Sequence, residues 1–125
     1  MAGKFYGIGL GPGDPGLVTL KAADALRSVK AIYSVASRQS DRSISGRILD
    51  ALPGITAERT ELEFTMSKDF GERLARIYEH AALILAGIRR GEDAAFVTIG
   101  DPMTYSTCSY LLRALRRMEP ELEYE

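Results

Sequence analysis

A chain of 125 residues with 46% hydrophobic and 26% charged side chains is long enough to bury one sizeable core without a disulfide or metal, and this balance excludes collagenous, coiled-coil and disordered classes. Sixteen basic residues against seventeen acidic ones leave a formal charge of -1 with no basic block, so nucleic acid is not an expected partner. The longest apolar run, 81–88, falls well short of the about 20 residues of a membrane span, and no basic-then-apolar leader opens the chain, so a cytoplasmic protein without membrane partners is expected.

Residues 4–10 read as a strand closed by the glycine and proline cluster 11–16. Thr19 is placed to cap a helix carrying Ala22, Leu26 and Val29 on one face. A second strand is expected at 31–35, followed by a polar stretch and a helix over 44–52 that Pro53 and Gly54 terminate. A third strand is expected at 56–64. The longest helix, 68–90, aligns Phe70, Leu74, Ile77, Ala81, Ile84 and Ile88 on one inward stripe, with Ser67 or Asp69 as its cap and Gly91 past its end. A fourth strand at 94–99 leads through Gly100-Asp-Pro into a helix over 106–118, with Cys108, Leu111, Leu115 and Met118 inward, and residues 121–125 begin a fifth strand. Such alternation predicts an α/β fold, a mainly parallel sheet of about five strands with helices on both faces. Ligands bind such sheets beyond the carboxyl ends of the strands, where the loops 11–16 and 100–107 both lie.

Gly11, Gly13 and Gly16 satisfy G-x-G-x-x-G between a strand and a helix, the context of a dinucleotide fingerprint. Against it, Pro12 and Pro15 lack amide protons, and no acidic residue ends the second strand to hold a ribose. Arg38 offers a partner for a 2′-phosphate, which leaves an NADP-binding oxidoreductase as an alternative, beside a glycine-rich turn that binds nothing. Cys108 is the sole cysteine and His80 the sole histidine. Cys108 therefore lacks zinc-spaced partners, no metal is expected, and any histidine-dependent nucleophile would have to use His80. His80 lies beside Arg73 and Arg76 on the polar side of the long helix, where an exposed and inert residue is expected.

The stretch Tyr6-Gly-Ile-Gly-Leu-Gly-Pro-Gly-Asp-Pro-Gly-Leu-Val-Thr-Leu-Lys-Ala-Ala23, read with Gly100-Asp-Pro-Met-Thr-Tyr-Ser-Thr107, resembles the tetrapyrrole (corrin and porphyrin) methylase family. Within it, the second motif and Glu63-Phe-Thr-Met-Ser-Lys-Asp69 are similar to the precorrin-2 C(20)-methyltransferases of cobalamin biosynthesis. The resemblance implies methyl transfer from S-adenosylmethionine to carbon 20 of precorrin-2 or cobalt-precorrin-2. It also implies a homodimer of two-domain subunits with the cofactor in the interdomain cleft. Residues 1–125 would then be the N-terminal α/β domain, inactive without the C-terminal one. A noncatalytic binding fragment is the remaining alternative.

By the same resemblance Pro12 falls on the family's cofactor-cleft proline, and Ile99, Gly100, Asp101 and Thr104 on its cofactor-contacting segment. Asp101 is equally suited to capping the turn before Pro102. Members that methylate uroporphyrinogen carry an aspartate near the end of the second strand, where this chain reads Tyr33-Ser34-Val35, so no acid-base residue is assigned. The substrate's eight acidic side chains make Arg38, Arg42 and Arg47 candidate partners. Tyr105, Ser106 and Thr107 are candidates for orienting the substrate, with capping of the last helix as the competing role for Ser106 and Thr107.

Overall fold

The computed structural model describes residues 3–10, 16, 18–35, 42–63, 69–98 and 102–125, without the side chains of 42–45 and 102–106. Among these residues five strands alternate with four helices: β1 Lys4–Gly9, α1 Leu20–Ser28, β2 Ala31–Val35, α2 Arg42–Ala51, β3 Glu58–Leu62, α3 Phe70–Arg89, β4 Ala94–Thr98, α4 Pro102–Met118 and β5 Glu123–Tyr124. The strands form one parallel sheet in the order β3-β2-β4-β1-β5. The expected α/β class, strand number and two-faced cover are all present.

Two apolar layers hold the sheet. Ile8, Leu10, Ile32, Ala95 and Val97 pack with Leu26 and Val29 around α1 and with Ile48 and Leu49 of α2. On the opposite face Phe5, Tyr33 and Phe96 pack with Ile77, Ala81, Ile84, Leu85 and Ile88 of α3 and with Leu111 and Leu115 of α4. All five residues of β4 are buried, as its uninterrupted Ala-Ala-Phe-Val-Thr sequence requires of a central strand covered on both sides.

Local chemistry sets the helix ends. Thr19 Oγ1 accepts from the Ala22 amide at 3.1 Å, satisfying one of the donors orphaned at the start of α1. Asp69 Oδ1 does the same for α3, accepting from Gly71 at 2.8 Å and Glu72 at 3.4 Å. The chain leaves α3 through Gly91 at φ 90°, a left-handed conformation that favours glycine.

Several expectations need correction. The inward stripe of α3 starts at half-buried Leu74 rather than Phe70, which is the helix's first residue and 58% exposed. The last helix begins at Pro102, four positions before the expected start at Ser106, because proline is favoured in the first turn, where its missing amide would have no partner. Neither Ser106 nor Thr107 can therefore be its cap. The α2 helix runs two residues earlier at its start than expected, and β3 and β5 are shorter than their predicted spans. His80 is half-buried, not exposed, and its Nε2 meets the Glu63 carbonyl oxygen at 2.5 Å, tying α3 to the end of β3.

Candidate functional site

The sheet's winding creates one crevice. The connections from β1 through α1 and from β2 through α2 advance toward β3 with their helices on one face, whereas those through α3 and α4 advance the other way on the opposite face. Adjacent β1 and β4 are thus followed by helices on opposite faces, which is the topological switch point where α/β sheets leave room for a ligand. Gly9 pairs with Thr98 at the carboxyl ends of these two strands, and the Leu10 amide donates to the Thr98 carbonyl at 2.7 Å. Residues 11–15 and 99–101, which carry both loop motifs, follow from these neighbouring ends.

The crevice is bordered by small and polar groups. Side chains alternate across β1, so Ile8 and Leu10 enter the α1–α2 layer while Gly7 and Gly9 face the α4 layer without a side chain. A Cβ at Gly7 would stand 3.3 Å from Cys108 Sγ, and one at Gly9 would stand 3.9 Å from Thr98 Oγ1. Thr98 is 8% exposed, and no buried side-chain polar atom among the described residues lacks a hydrogen-bond partner. Burial pushes the Cys108 thiol pKa up, so the sulfur stays protonated and weakly nucleophilic at neutral pH.

Of the cofactor candidates, Pro12, Ile99, Gly100 and Asp101 lie outside the described residues, as does Arg38. Thr104 stands in the first turn of α4, directly after the loop leaving β4, and Tyr105, Ser106 and half-buried Thr107 continue the same helix. Arg42 opens α2 after β2, and Arg47 is exposed farther along it. Tyr33 is buried under α3 and its hydroxyl pKa is raised, mainly by that burial, so the last residues of β2 bring no carboxylate to the site. Gly7 and Cys108 were not singled out for the site from the sequence; the period-two spacing of Gly7 and Gly9 was the available signal.

The geometry disfavours the dinucleotide alternative. A Rossmann unit pairs β1 with β2 and starts its helix within the glycine motif, whereas here β4 separates those strands and α1 starts at Leu20 under the Thr19 cap. Among the described residues, two concavities lie against the sheet. One of about 270 Å³ runs along β1 and α1, lined by residues including Tyr6, Gly9, Thr19, Lys21 and Glu125. The other, of about 300 Å³, lies at the amino ends of β2, β3 and β4, beside Lys30, Tyr33, Glu58 and Arg90, and so at the far end from the crevice. No helix among the described residues is long and apolar enough to cross a membrane.

Known proteins share this sequence and architecture. The chain is 39% identical over 121 residues to a Methanocaldococcus jannaschii protein named "Probable cobalt-precorrin-2 C(20)-methyltransferase", covering 96% of this chain and 50% of that protein. It is 36% identical over 115 residues to the cobalt-precorrin-2 C(20)-methyltransferase of Salmonella typhimurium, covering 92% and 48%. The fold matches the crystal structure of uroporphyrin-III C-methyltransferase from Thermus thermophilus, complexed with S-adenosylhomocysteine, at a TM-score of 0.65 and 25% identity, covering 98% of this chain and 43% of that one. The chain thus spans about half the length of these relatives. Residues 4–125 match the Tetrapyrrole (Corrin/Porphyrin) Methylases, and with the sheet order, the switch-point crevice and both loop motifs in agreement, the chain belongs to that family.

Proposed function

We propose that the protein is an S-adenosylmethionine-dependent methyltransferase acting on carbon 20 of precorrin-2 or cobalt-precorrin-2 in cobalamin biosynthesis, with residues 1–125 as its N-terminal α/β domain. The observation that carries this reading is the pairing of Gly9 with Thr98, from which both family motifs follow at the switch point. The named relatives with 39% and 36% identity support the substrate, and the S-adenosylhomocysteine complex of the Thermus protein supports the cofactor.

The residues present fit such a cofactor. Bare Gly9 and buried Thr98 border a crevice where backbone can approach a ligand closely. Pro12, Ile99, Gly100, Asp101 and Thr104 would hold the cofactor, with Asp101 accepting from an amine or ribose hydroxyl. S-adenosylmethionine, when bound, supplies a methyl group already activated by its sulfonium. Arg38 would pair with a carboxylate of the tetrapyrrole, and Tyr105, Ser106 and Thr107 would orient the ring. No proton acceptor is assigned, since Cys108 is held protonated and the His80 ring is engaged with the Glu63 backbone. Orientation of the reacting carbon against the methyl group supplies the rate in this reading, an effect worth up to about 7–11 kcal/mol. A second domain that completes the cleft and a homodimeric assembly belong to the same proposal.

The test is methyl transfer to precorrin-2 by the full product of the gene, followed by mass and by the position of the new methyl group. Addition at carbon 20 is the expected result. No transfer to precorrin-2 or cobalt-precorrin-2, or transfer to another carbon, overturns the assignment.

A further inference from the structure

One contact in the core sits where it can govern the crevice. Along the α4 face of β1, Phe5 is fully packed, and the next position on that face, exposed Gly7, has no side chain. Half-buried Cys108 occupies that space, with its sulfur 3.3 Å from where a Gly7 Cβ would stand. That separation is tighter than nine in ten Cβ contacts, so an added methyl group requires the Cys108 sulfur to give by a few tenths of an ångström. The helix is α4, which begins at Pro102 immediately beyond the β4 loop. Pro102 and Cys108 are only six positions apart, about 9 Å of helix. Toward the strand end, the described neighbour nearest to a Gly9 Cβ is Thr98 Oγ1 at the ordinary distance of 3.9 Å. Cys108 over Gly7 is thus a close support for α4 just before its first turn reaches the strand ends.

Resting on the function proposed above, we infer that Gly7 is a positioning residue: its missing side chain seats Cys108 directly on β1, which fixes how far the first turn of α4 stands from the crevice and so how tightly the cofactor is held. Gly7 touches no ligand in this account and acts through Cys108. Its effect on affinity must therefore vanish when the sulfur is removed, which distinguishes it from loss of strand stability.

The experiment compares Gly7→Ala, Cys108→Ala and the double variant in the full gene product, well below each melting temperature. It reads S-adenosylhomocysteine affinity by calorimetry and the amide resonances of residues 103–108 without ligand. Gly7→Ala is expected to weaken binding about threefold or more and to move those resonances, given how steeply site function depends on sub-ångström placement. Cys108→Ala removes the support itself and is expected to weaken binding less than Gly7→Ala, and the double variant to match Cys108→Ala in both affinity and resonances, recovering most of what Gly7→Ala loses. Unchanged affinity in Gly7→Ala, loss that the double variant does not recover, or a Gly7→Ala chain that cannot fold overturns the inference. If the unsubstituted protein binds no S-adenosylhomocysteine, the cofactor reading fails and takes the affinity part of the inference with it. Resonances that still move and recover then show that the seating of α4 survives separately.

Discussion

At the residue scale the crevice separates groups that serve folding from groups proposed to serve the ligand. Asp69 belongs to the first kind: its carboxylate accepts from two amides at the start of α3, so Asp69→Ala is expected to cost about 1 kcal/mol, read as a shift in denaturant midpoint. Gly100 is proposed for the second kind. A β-branched side chain there blocks close ligand approach while leaving β4 intact, so Gly100→Val in the full gene product should weaken S-adenosylhomocysteine binding about tenfold or more with little change in melting temperature. Normal affinity in that variant removes the loop from the site. Cys108 provides a further check: with its thiol pKa raised by burial, alkylation of the native protein at pH 7 should be much slower than that of the unfolded chain, and should speed up as pH rises through the thiol's range. Much of this level was legible in the sequence, because caps and glycine motifs are local. The support of Cys108 by Gly7 was not, since it joins residues from opposite ends of the chain.

At the scale of elements, α3 carries the core of its layer, and Ile84 is fully buried between it and the sheet. Ile84→Ala should therefore destabilise the fold by about 2–5 kcal/mol, seen in chemical denaturation. The short edge strand β5 is held differently. The Glu125 amide donates to the Phe5 carbonyl at 2.9 Å, its own carbonyl accepts from the Gly7 amide at 2.8 Å, and its carboxylate pairs with Lys21 and Lys4. Those partners lower the Glu125 pKa to about 2, below the ordinary carboxylate value, so its contribution is complete above the unfolded value and is lost as pH falls through the native one. Protection of the Gly7 and Glu125 amides, relative to the exchange rate of an unstructured chain at the same pH, should fall over that acid range while Phe96 stays protected, and high salt should mimic part of the effect. Periodicity revealed α3 because its apolar residues recur over many turns. It misjudged Phe70, where the pattern continues to the helix's first residue but the layer beneath it does not. It also misplaced the start of α4, because Gly-Asp-Pro has the composition of a loop even when its proline opens a helix.

For the whole molecule, function follows from winding. Alternation of strands and helices predicted the parallel sheet, but no local signal says that β4 inserts between β1 and β2, because each crossover is compatible with stepping to the next strand or over it. That insertion makes β1 and β4 neighbours, so the strand ends from which the two motifs follow in sequence lie side by side at one switch point. The glycine fingerprint alone left a dinucleotide reading open, and the order of the strands, together with the late start of α1, is what disfavours it. Because the chain spans about half of its relatives, residues 1–125 on their own are expected to transfer no methyl group to precorrin-2, and turnover by them would refute the two-domain proposal. The central claim, that the crevice between β1 and β4 takes S-adenosylmethionine, is tested most directly by calorimetric titration of the full gene product with S-adenosylhomocysteine and, separately, with NADPH. Saturable one-site binding of S-adenosylhomocysteine and none of NADPH is the predicted result, whereas NADPH binding without S-adenosylhomocysteine binding would contradict it.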